Sequence, residues 1–197
     1  MQSKCLNEQY NEMINILSQN LELMDILNYI HELKLPNFYI AAGSIFQTVW
    51  NFYDNKELNY GIKDIDVIYF NKNNITLEKD LEYYDLISKF CKEKGYKIEV
   101  DVSNEARMHI WIKEKYNIDI EPYTSSEDAI DKWIATVHAI GLTKKNKKLE
   151  IYAPYGLSDI YSKTVRPIKH DNNSKEMYDK KASDWNERFD NLNIIEW

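Results

Sequence analysis

The stretch that decides the fold is Phe38-Tyr39-Ile40-Ala41-Ala42-Gly43-Ser44, an apolar run that ends at a Gly-Ser pair. Residues that suit a helix follow it. We therefore predict a strand at 38–42, a tight turn, and a helix at 44–53. The start of a helix offers free backbone N–H groups and the positive end of the helix dipole. Gly43 and Ser44 are thus a natural seat for a phosphate group.

A second strand follows this helix and a polar loop. Its sequence, Asp64-Ile65-Asp66-Val67-Ile68-Tyr69-Phe70, is rich in strong strand formers. Because successive strand residues alternate between the two faces, Asp64 and Asp66 are predicted to project to the same side. Two carboxylates so placed repel each other unless a hard cation lies between them, and Mg²⁺ is the usual cation. A phosphate cradle beside paired aspartates is typical of metal-dependent phosphoryl or nucleotidyl transferases.

These residues resemble the signature of the DNA polymerase beta-like nucleotidyltransferase superfamily. The resemblance implies an α/β (α+β) polymerase-beta-like core, a small mixed sheet flanked by helices. It also implies that Gly43 and Ser44 hold the triphosphate of an NTP, and that Asp64 and Asp66 hold two Mg²⁺ (or Mn²⁺) ions. Longer blocks are similar to a small bacterial nucleotidyltransferase-like family of unassigned substrate: 43–51, 104–111 and 153–160. The resemblance extends from about Phe38 to Pro167.

The resemblance further implies a third carboxylate on a neighbouring strand, which joins a metal ion and takes the proton from the acceptor hydroxyl. We predict a third strand at 96–101 and choose Asp101, because it closely precedes the block that begins at Asn104. Glu99, two residues earlier on the same face, is the alternative. Arg107 in that block is predicted to bind the triphosphate, since guanidinium groups attract phosphates.

One spacing departs from the superfamily pattern. Asp64 follows Ser44 by 20 positions, which is longer than the common spacing. The extra length fits a longer helix and the polar loop from Asp54 to Lys63. On that helix we interpret Gln47 and Asn51 as solvating its outer face.

The other predicted elements come from periodicity and capping signals. The helix at 77–94 has Leu81, Tyr84, Phe90 and Cys91 as candidate core positions and stops at Gly95. Further elements are helices within 6–33 with a break near 18–20, a helix at 104–116, a helix begun by the capping box at 124–127, a hairpin over 140–152, and helices at 156–162 and 174–189. The final helices are candidates for a lid over the sheet.

Length and composition predict one domain over 1–197, with N-terminal helices at 1–35, the core at 36–122, and C-terminal helices and a hairpin at 123–197. The hydrophobic fraction of 44% is ordinary for a globular protein. No window approaches the roughly 18 apolar residues of a membrane span, and the first residues lack the apolar core of a signal peptide. Cys5 and Cys91 show no ligand-like spacing. We therefore expect reduced thiols and a cytoplasmic protein.

The formal net charge of −7 bears on the acceptor. Long nucleic acid prefers a basic stripe, so we expect a small molecule or a protein instead. The densest basic cluster, at 144–148, is interpreted as a solvated hairpin tip, with a weak patch for RNA or another anion as the alternative. Acceptor, base preference and oligomeric state stay open.

The sequence as a whole predicts transfer of a nucleoside monophosphate from an NTP to a hydroxyl-bearing acceptor. The alternative is a non-catalytic nucleotide-binding or regulatory module that retains the fold. Convergence of Asp64, Asp66 and Asp101 in space is the observation that favours catalysis.

Overall fold

The computed structural model of the protein describes residues 6–197, so Cys5 lies outside the described residues. Within that range the helices are α1 (Leu6–Leu17), α2 (Leu21–Glu32), α3 (Gly43–Tyr53), α4 (Leu77–Lys94), α5 (Met108–Tyr116), α6 (Ser126–Ile130), α7 (Ser158–Tyr161) and α8 (Lys175–Asn186). The strands are β1 (Tyr39–Ala41), β2 (Asp64–Tyr69), β3 (Glu99–Asn104), β4 (Gly141–Lys145), β5 (Lys148–Tyr152), β6 (Thr164–Val165) and β7 (Asn193–Ile194). A single 3₁₀ turn, Glu105–Arg107, joins β3 to α5.

Five strands form one mixed sheet in the order β3-β2-β1-β4-β5. The pair β2–β3 is parallel, and the other three pairs are antiparallel. A parallel pair needs a crossover connection, which α4 supplies here. The predicted mixed sheet flanked by helices is thus confirmed. The strands β6 and β7 pair in parallel as a separate small sheet.

The two faces of the sheet differ in what covers them. Ile65, Val67 and Tyr69 alternate onto one face and join the main core, together with buried residues of α1, α2 and α3. Ile68 lies on the other face in a smaller apolar cluster with Ala41 and its neighbours. Asp64 and Asp66 share the face of Ile68, because strand residues two apart point the same way. This second face therefore carries the candidate site.

Helix α4 begins and ends as predicted, with Gly95 in the left-handed conformation at its C-terminus. The predicted core positions Leu81 and Tyr84 are wrong, since their exposed fractions are 51% and 42%. The predicted core positions Phe90 and Cys91 are confirmed, since Cys91 is buried and Phe90 packs partly buried against the core. The buried face of the helix also contains Asp80 and Ile87. Hydrophobic periodicity alone did not reveal this buried face, because Asp80 on it is an acid whose polar partners lie inside the protein.

The prediction that Gln47 and Asn51 solvate the outer face of α3 is also wrong, since both are buried. The Asn51 amide donates to the carbonyls of Leu58 and Tyr60 at 3.0 and 2.8 Å. This side chain therefore fixes the loop between α3 and β2, whose length sets the long spacing from Ser44 to the aspartates.

The capping signal at 124–127 is displaced by one residue. Ser125 is the N-cap of α6, and its hydroxyl accepts from the Asp128 N–H at 3.1 Å. The Asp128 carboxylate in turn accepts from the Thr124 N–H at 2.8 Å. The cap is thus made by Ser125 and Asp128, with the return hydrogen bond from Thr124 rather than from the N-cap residue, and α6 already ends at Ile130.

Helix α8 packs across α3 near the start of β2. The ring of Trp185 lies 5.3 Å from that of Phe46 in an edge contact. Asp184 accepts from Lys63 at 2.7 Å, and Arg188 donates to the Gln47 side chain at 3.2 Å. Among the described residues, the helices are too short or too polar to cross a membrane.

Candidate functional site

The carboxylates of β2 and β3 share one face of the sheet. The parallel register pairs Asp64 with Glu99 and Asp66 with Asp101. Paired residues of parallel strands point to the same side, and neighbouring strands lie about 4.8 Å apart. The structure therefore brings the three predicted acids to one face. It places Asp101 directly beside Asp66, whereas Glu99 lies beside Asp64 at the first residue of each strand.

The Gly-Ser turn lies next to these acids. Ala41 pairs with Asp66 across β1 and β2, and α3 begins two residues later at Gly43. Within the part of the chain that the structure describes, the N–H groups of Gly43 and Ser44 have no acceptor, as in the first turn of most helices. The Ser44 hydroxyl is buried and donates to the Ala41 carbonyl at 3.1 Å. An anion at this turn would therefore meet backbone N–H groups rather than the hydroxyl.

The residue before the turn has a strained backbone. Ala42 has φ +55° and ψ −124°, a combination that favours glycine. Its N–H donates to the Ile140 carbonyl at 2.9 Å, which ties the turn to the start of β4. Strain of this kind costs about 1–3 kcal/mol and clusters at functional sites. Gly43 itself has no positive φ, and a Cβ there would meet only the end of the Gln47 side chain, at 2.8 Å.

Burial and repulsion act together on Asp66. Its pKa is raised to about 7, first by loss of water and then by the charge of Asp64, with a smaller contribution from Asp101. Lys181 on α8 acts in the opposite direction and lowers the pKa. The Asp66 carboxylate forms no hydrogen bond or ion pair within residues 6–197. Apart from Lys181, the described residues therefore do little to stabilise its ionised form.

Glu105 is a further acid at this face that sequence reasoning missed. It is 3% exposed, and burial raises its pKa to about 8, with added repulsion from Asp66, Asp80 and Asp101. Its carboxyl group has no hydrogen bond or ion pair among the described residues. The available signal was its position directly after the strand that carries Asp101.

Arg107, the predicted triphosphate ligand, contacts another acid in the structure. Its guanidinium Nη1 lies 3.5 Å from Asp80, and Nε donates to the Ile75 carbonyl at 3.3 Å. Asp80 also accepts from the Tyr69 hydroxyl at 2.7 Å and from the Asn104 N–H at 3.1 Å. Arg107 therefore belongs to a network that fixes the end of β3, and its binding to phosphate stays a prediction.

Two other residues of the site come from distant parts of the chain. Lys181 on α8 acts electrostatically on both Asp66 and His138. His138 lies between the rings of Trp133 and Trp185, at 5.0 and 5.7 Å, and burial lowers its pKa well below the ordinary value. His138 is therefore neutral at pH 7. Neither residue carries a local sequence signal, because only the packing of α8 brings them here.

The donor set fits a hard divalent cation in its chemistry. It consists of carboxylates on adjacent strands with no sulfur ligand, and Mg²⁺ prefers oxygen. No group of three or more His, Cys, Asp or Glu side chains within residues 6–197 already has the spacing of a metal site. The backbone register nevertheless keeps Asp66 and Asp101 within reach of one ion.

The fold defines the class of the protein, an α/β nucleotidyltransferase, and two comparisons with known proteins support it. An NMR structure described as revealing a CCA-adding enzyme head domain is similar to this chain with a TM-score of 0.74 and 30% sequence identity. The similarity covers 92% of this chain and 95% of that one.

A family model described as nucleotidyltransferase matches residues 28–194. The chain therefore belongs to this nucleotidyltransferase family, and the predicted resemblance is confirmed. No curated protein shows significant similarity to the chain.

Proposed function

We propose that this protein is a divalent-metal-dependent enzyme that transfers a nucleoside monophosphate from an NTP to a hydroxyl-bearing acceptor. The observation that carries the proposal is the register of β2 and β3, which sets Asp66 beside Asp101 on the face next to the Gly-Ser turn. The family and the similar head domain support nucleotidyl transfer as the reaction class. A cytoplasmic location follows from the cysteine usage and is part of the same proposal.

The residues have distinct roles in the proposed reaction. The acceptor oxygen attacks the α-phosphorus, the bond to the β-phosphate oxygen breaks, and pyrophosphate leaves. Asp101 takes the proton of the acceptor hydroxyl. The N–H groups of Gly43 and Ser44 bind the β- and γ-phosphates at the start of α3. Lys181 supplies a positive charge near Asp66 that partly offsets the negative charge of the site.

Asp64, Asp66 and Asp101 would hold Mg²⁺ or Mn²⁺. When bound, the metal supplies Lewis-acid stabilisation of the phosphoryl oxygens and of the attacking hydroxyl. The raised pKa of Asp66 shows that its ionised form lacks stabilisation, which a bound cation would supply. A positive charge beside Asp66 lowers that pKa and makes the ionised form stable.

The test is incubation with each α-labelled NTP, Mg²⁺ or Mn²⁺ and a cell extract, followed by separation of labelled small molecules, RNA and protein. We expect label on one of these classes. The Asp101→Asn variant should lose transfer by about 100-fold or more, whereas Glu99→Gln should keep most of it. This pair of variants decides which of the two strand acids is the third ligand.

Asp119→Asn is the matched control, because Asp119 is an exposed acid whose one ion pair among residues 6–197 is with Lys113, at 2.5 Å. It should transfer label at the wild-type rate. Nucleotide binding without transfer under every condition would contradict the proposal and favour the regulatory module.

A further inference from the structure

A basic cavity lies at the end of the sheet away from the Gly-Ser turn. Its open volume is about 320 Å³, and it lies between the end of α2 and the tip of the β4–β5 hairpin. Its polar and charged lining is His31, Lys34, Asn37, Thr143, Lys144 and Lys145. No carboxylate is among the described residues that line it. In a chain with 32 acidic and 25 basic residues, such a concentration of lysines is unusual.

The charges of these lysines are largely uncancelled. Lys34 is exposed, and its side chain forms no hydrogen bond or ion pair within the described part of the chain. Lys144 donates to the neutral Asn28 amide oxygen at 2.6 Å. Lys145 lies 3.7 Å from the half-exposed Glu150, a distance at which an ion pair is weak. The cavity therefore presents two or three positive charges to solvent.

The floor of the cavity is apolar and partly aromatic. Leu35 and Phe38 line it, and the His31 ring lies 6.3 Å from the Phe38 ring. Lys145 also lies over the ring of Tyr39, with its Nζ at 5.9 Å from the centroid. Phe38 and Tyr39 are only 6% and 3% exposed, so these rings form the floor and offer no face on which a base could stack. The lysines are therefore the groups that would bind the phosphates of a strand, and competition by an acidic peptide tests the alternative.

The cavity is separate from the candidate active site. Gly141 pairs with Ala41, and Ala41 pairs with Asp66, so Lys145 lies two strands across and four residues along from Asp66. The strand spacing and the rise per residue place the two positions about 17 Å apart. One nucleotide cannot reach both, whereas a short strand can.

We propose that the basic cavity binds the phosphate backbone of a short single-stranded nucleic-acid segment, which belongs to the acceptor. The identification of the strand as acceptor rests on the proposed function, whereas binding itself does not. The cavity is small and suits a short segment. The net charge of −7 likewise disfavours binding of a long duplex.

The experiment measures anisotropy of a fluorescent 12-nucleotide RNA and of the DNA of the same sequence, with EDTA and without NTP. If about three phosphates are contacted, log K should fall with log salt with a slope of roughly −2. The double variant Lys34→Gln/Lys145→Gln should weaken binding at least fivefold and reduce the slope by about 1.4. The control Lys89→Gln/Lys92→Gln removes the same charge from exposed positions of α4 and should change neither quantity.

Other outcomes would overturn the proposal. They are absence of binding, equal binding by the two double variants, or competition by polyglutamate as effective as by unlabelled RNA. Displacement of RNA by equimolar pyrophosphate would show a site for free phosphates instead. Because all arms lack metal and NTP, strand binding without any label transfer would contradict only the proposed function. Transfer to a small molecule combined with absent strand binding would contradict only this inference.

Discussion

Asp80 and Glu105 are two buried acids that lie close enough to repel each other, yet their surroundings are opposite. Asp80 accepts hydrogen bonds from Tyr69 and from the Asn104 backbone, and Arg107 lies 3.5 Å away. Glu105 is equally buried, but its carboxyl group has none of these partners. Burial raises the pKa of both acids, and only at Asp80 do neighbouring donors oppose the rise.

The comparison distinguishes an acid that stabilises the fold through its partners from an acid that has no such partner among the described residues. A buried charge with donors around it adds rigidity, and removal of the charge leaves those donors unsatisfied. A buried acid without donors is kept protonated, or it is ionised by a cation that binds there. Asp66 and Glu105 are of the second kind, and they face the same side as Asp101.

The largest expected effect is that of Asp66→Asn. Transfer should fall by about 100-fold or more, because each 1.36 kcal/mol lost at the transition state is tenfold in rate. The metal-free protein should be more stable by about 1 kcal/mol, or roughly 3 °C in melting temperature, since a repulsive charge is removed. Stabilisation by Mg²⁺ with NTP should vanish. Thermal melting with and without these ligands gives both results. An unchanged melting point together with an intact ligand response would contradict the metal site.

The next effect tests the partnered acid. Asp80→Asn should destabilise the protein by about 2–4 kcal/mol, because Arg107 loses its buried counter-charge. Urea unfolding at pH 7 measures the loss. Asp85→Asn on the same helix is the control, since Asp85 is exposed, and should stay within about 0.5 kcal/mol of the wild type. Equal stability of the Asp80 variant and the control would remove the distinction between the two acids.

Glu105→Gln should have the opposite sign and depend on pH. The folded pKa of about 8 lies above the ordinary 4.5, so the stability from the protonated acid is fully present below about pH 4.5. It is lost as the pH rises from 4.5 to 8. The variant should therefore match the wild type near pH 5 and be more stable than the wild type at pH 8. The gain at pH 8 is limited to about 1–2 kcal/mol, because the buried amide of the variant also lacks a hydrogen-bond partner. A pH-independent difference between the two proteins would contradict the assignment.

The smallest effect concerns the strained turn. Ala42→Gly should stabilise the protein by at most about 1 kcal/mol, since relief of the positive φ exceeds the entropy cost of glycine. Ala41→Gly, one residue earlier in regular strand conformation, should destabilise it by about 1 kcal/mol. Thermal melting of the two variants measures the difference in sign. Equal losses in both would show that Ala42 is not strained.

Much of the fold could be predicted from local patterns. The alternation at 64–69 predicted the strand, and the periodicity at 77–94 predicted α4 with its glycine stop. The third strand was predicted at 96–101 but is found at Glu99–Asn104. A strand exists only where a neighbour offers hydrogen bonds, and β2 offers its first partner at Asp64, opposite Glu99. Leu81 and Tyr84 were assigned to the core because nothing local showed that Asp80 has buried partners.

The sequence by itself determined the strand–turn–helix at Gly43, the pair of aspartates two residues apart, and the family resemblance that the family match confirms. These follow from local geometry, in which side-chain direction repeats with a fixed period. Tertiary structure alone decided that Asp101 lies beside Asp66, that Glu105 is buried without a hydrogen-bond partner among the described residues, and that Lys181 lies near Asp66 and His138. Register and helix packing join residues far apart in the chain. Their choice depends on the burial of the whole core rather than on the preferences of any one segment.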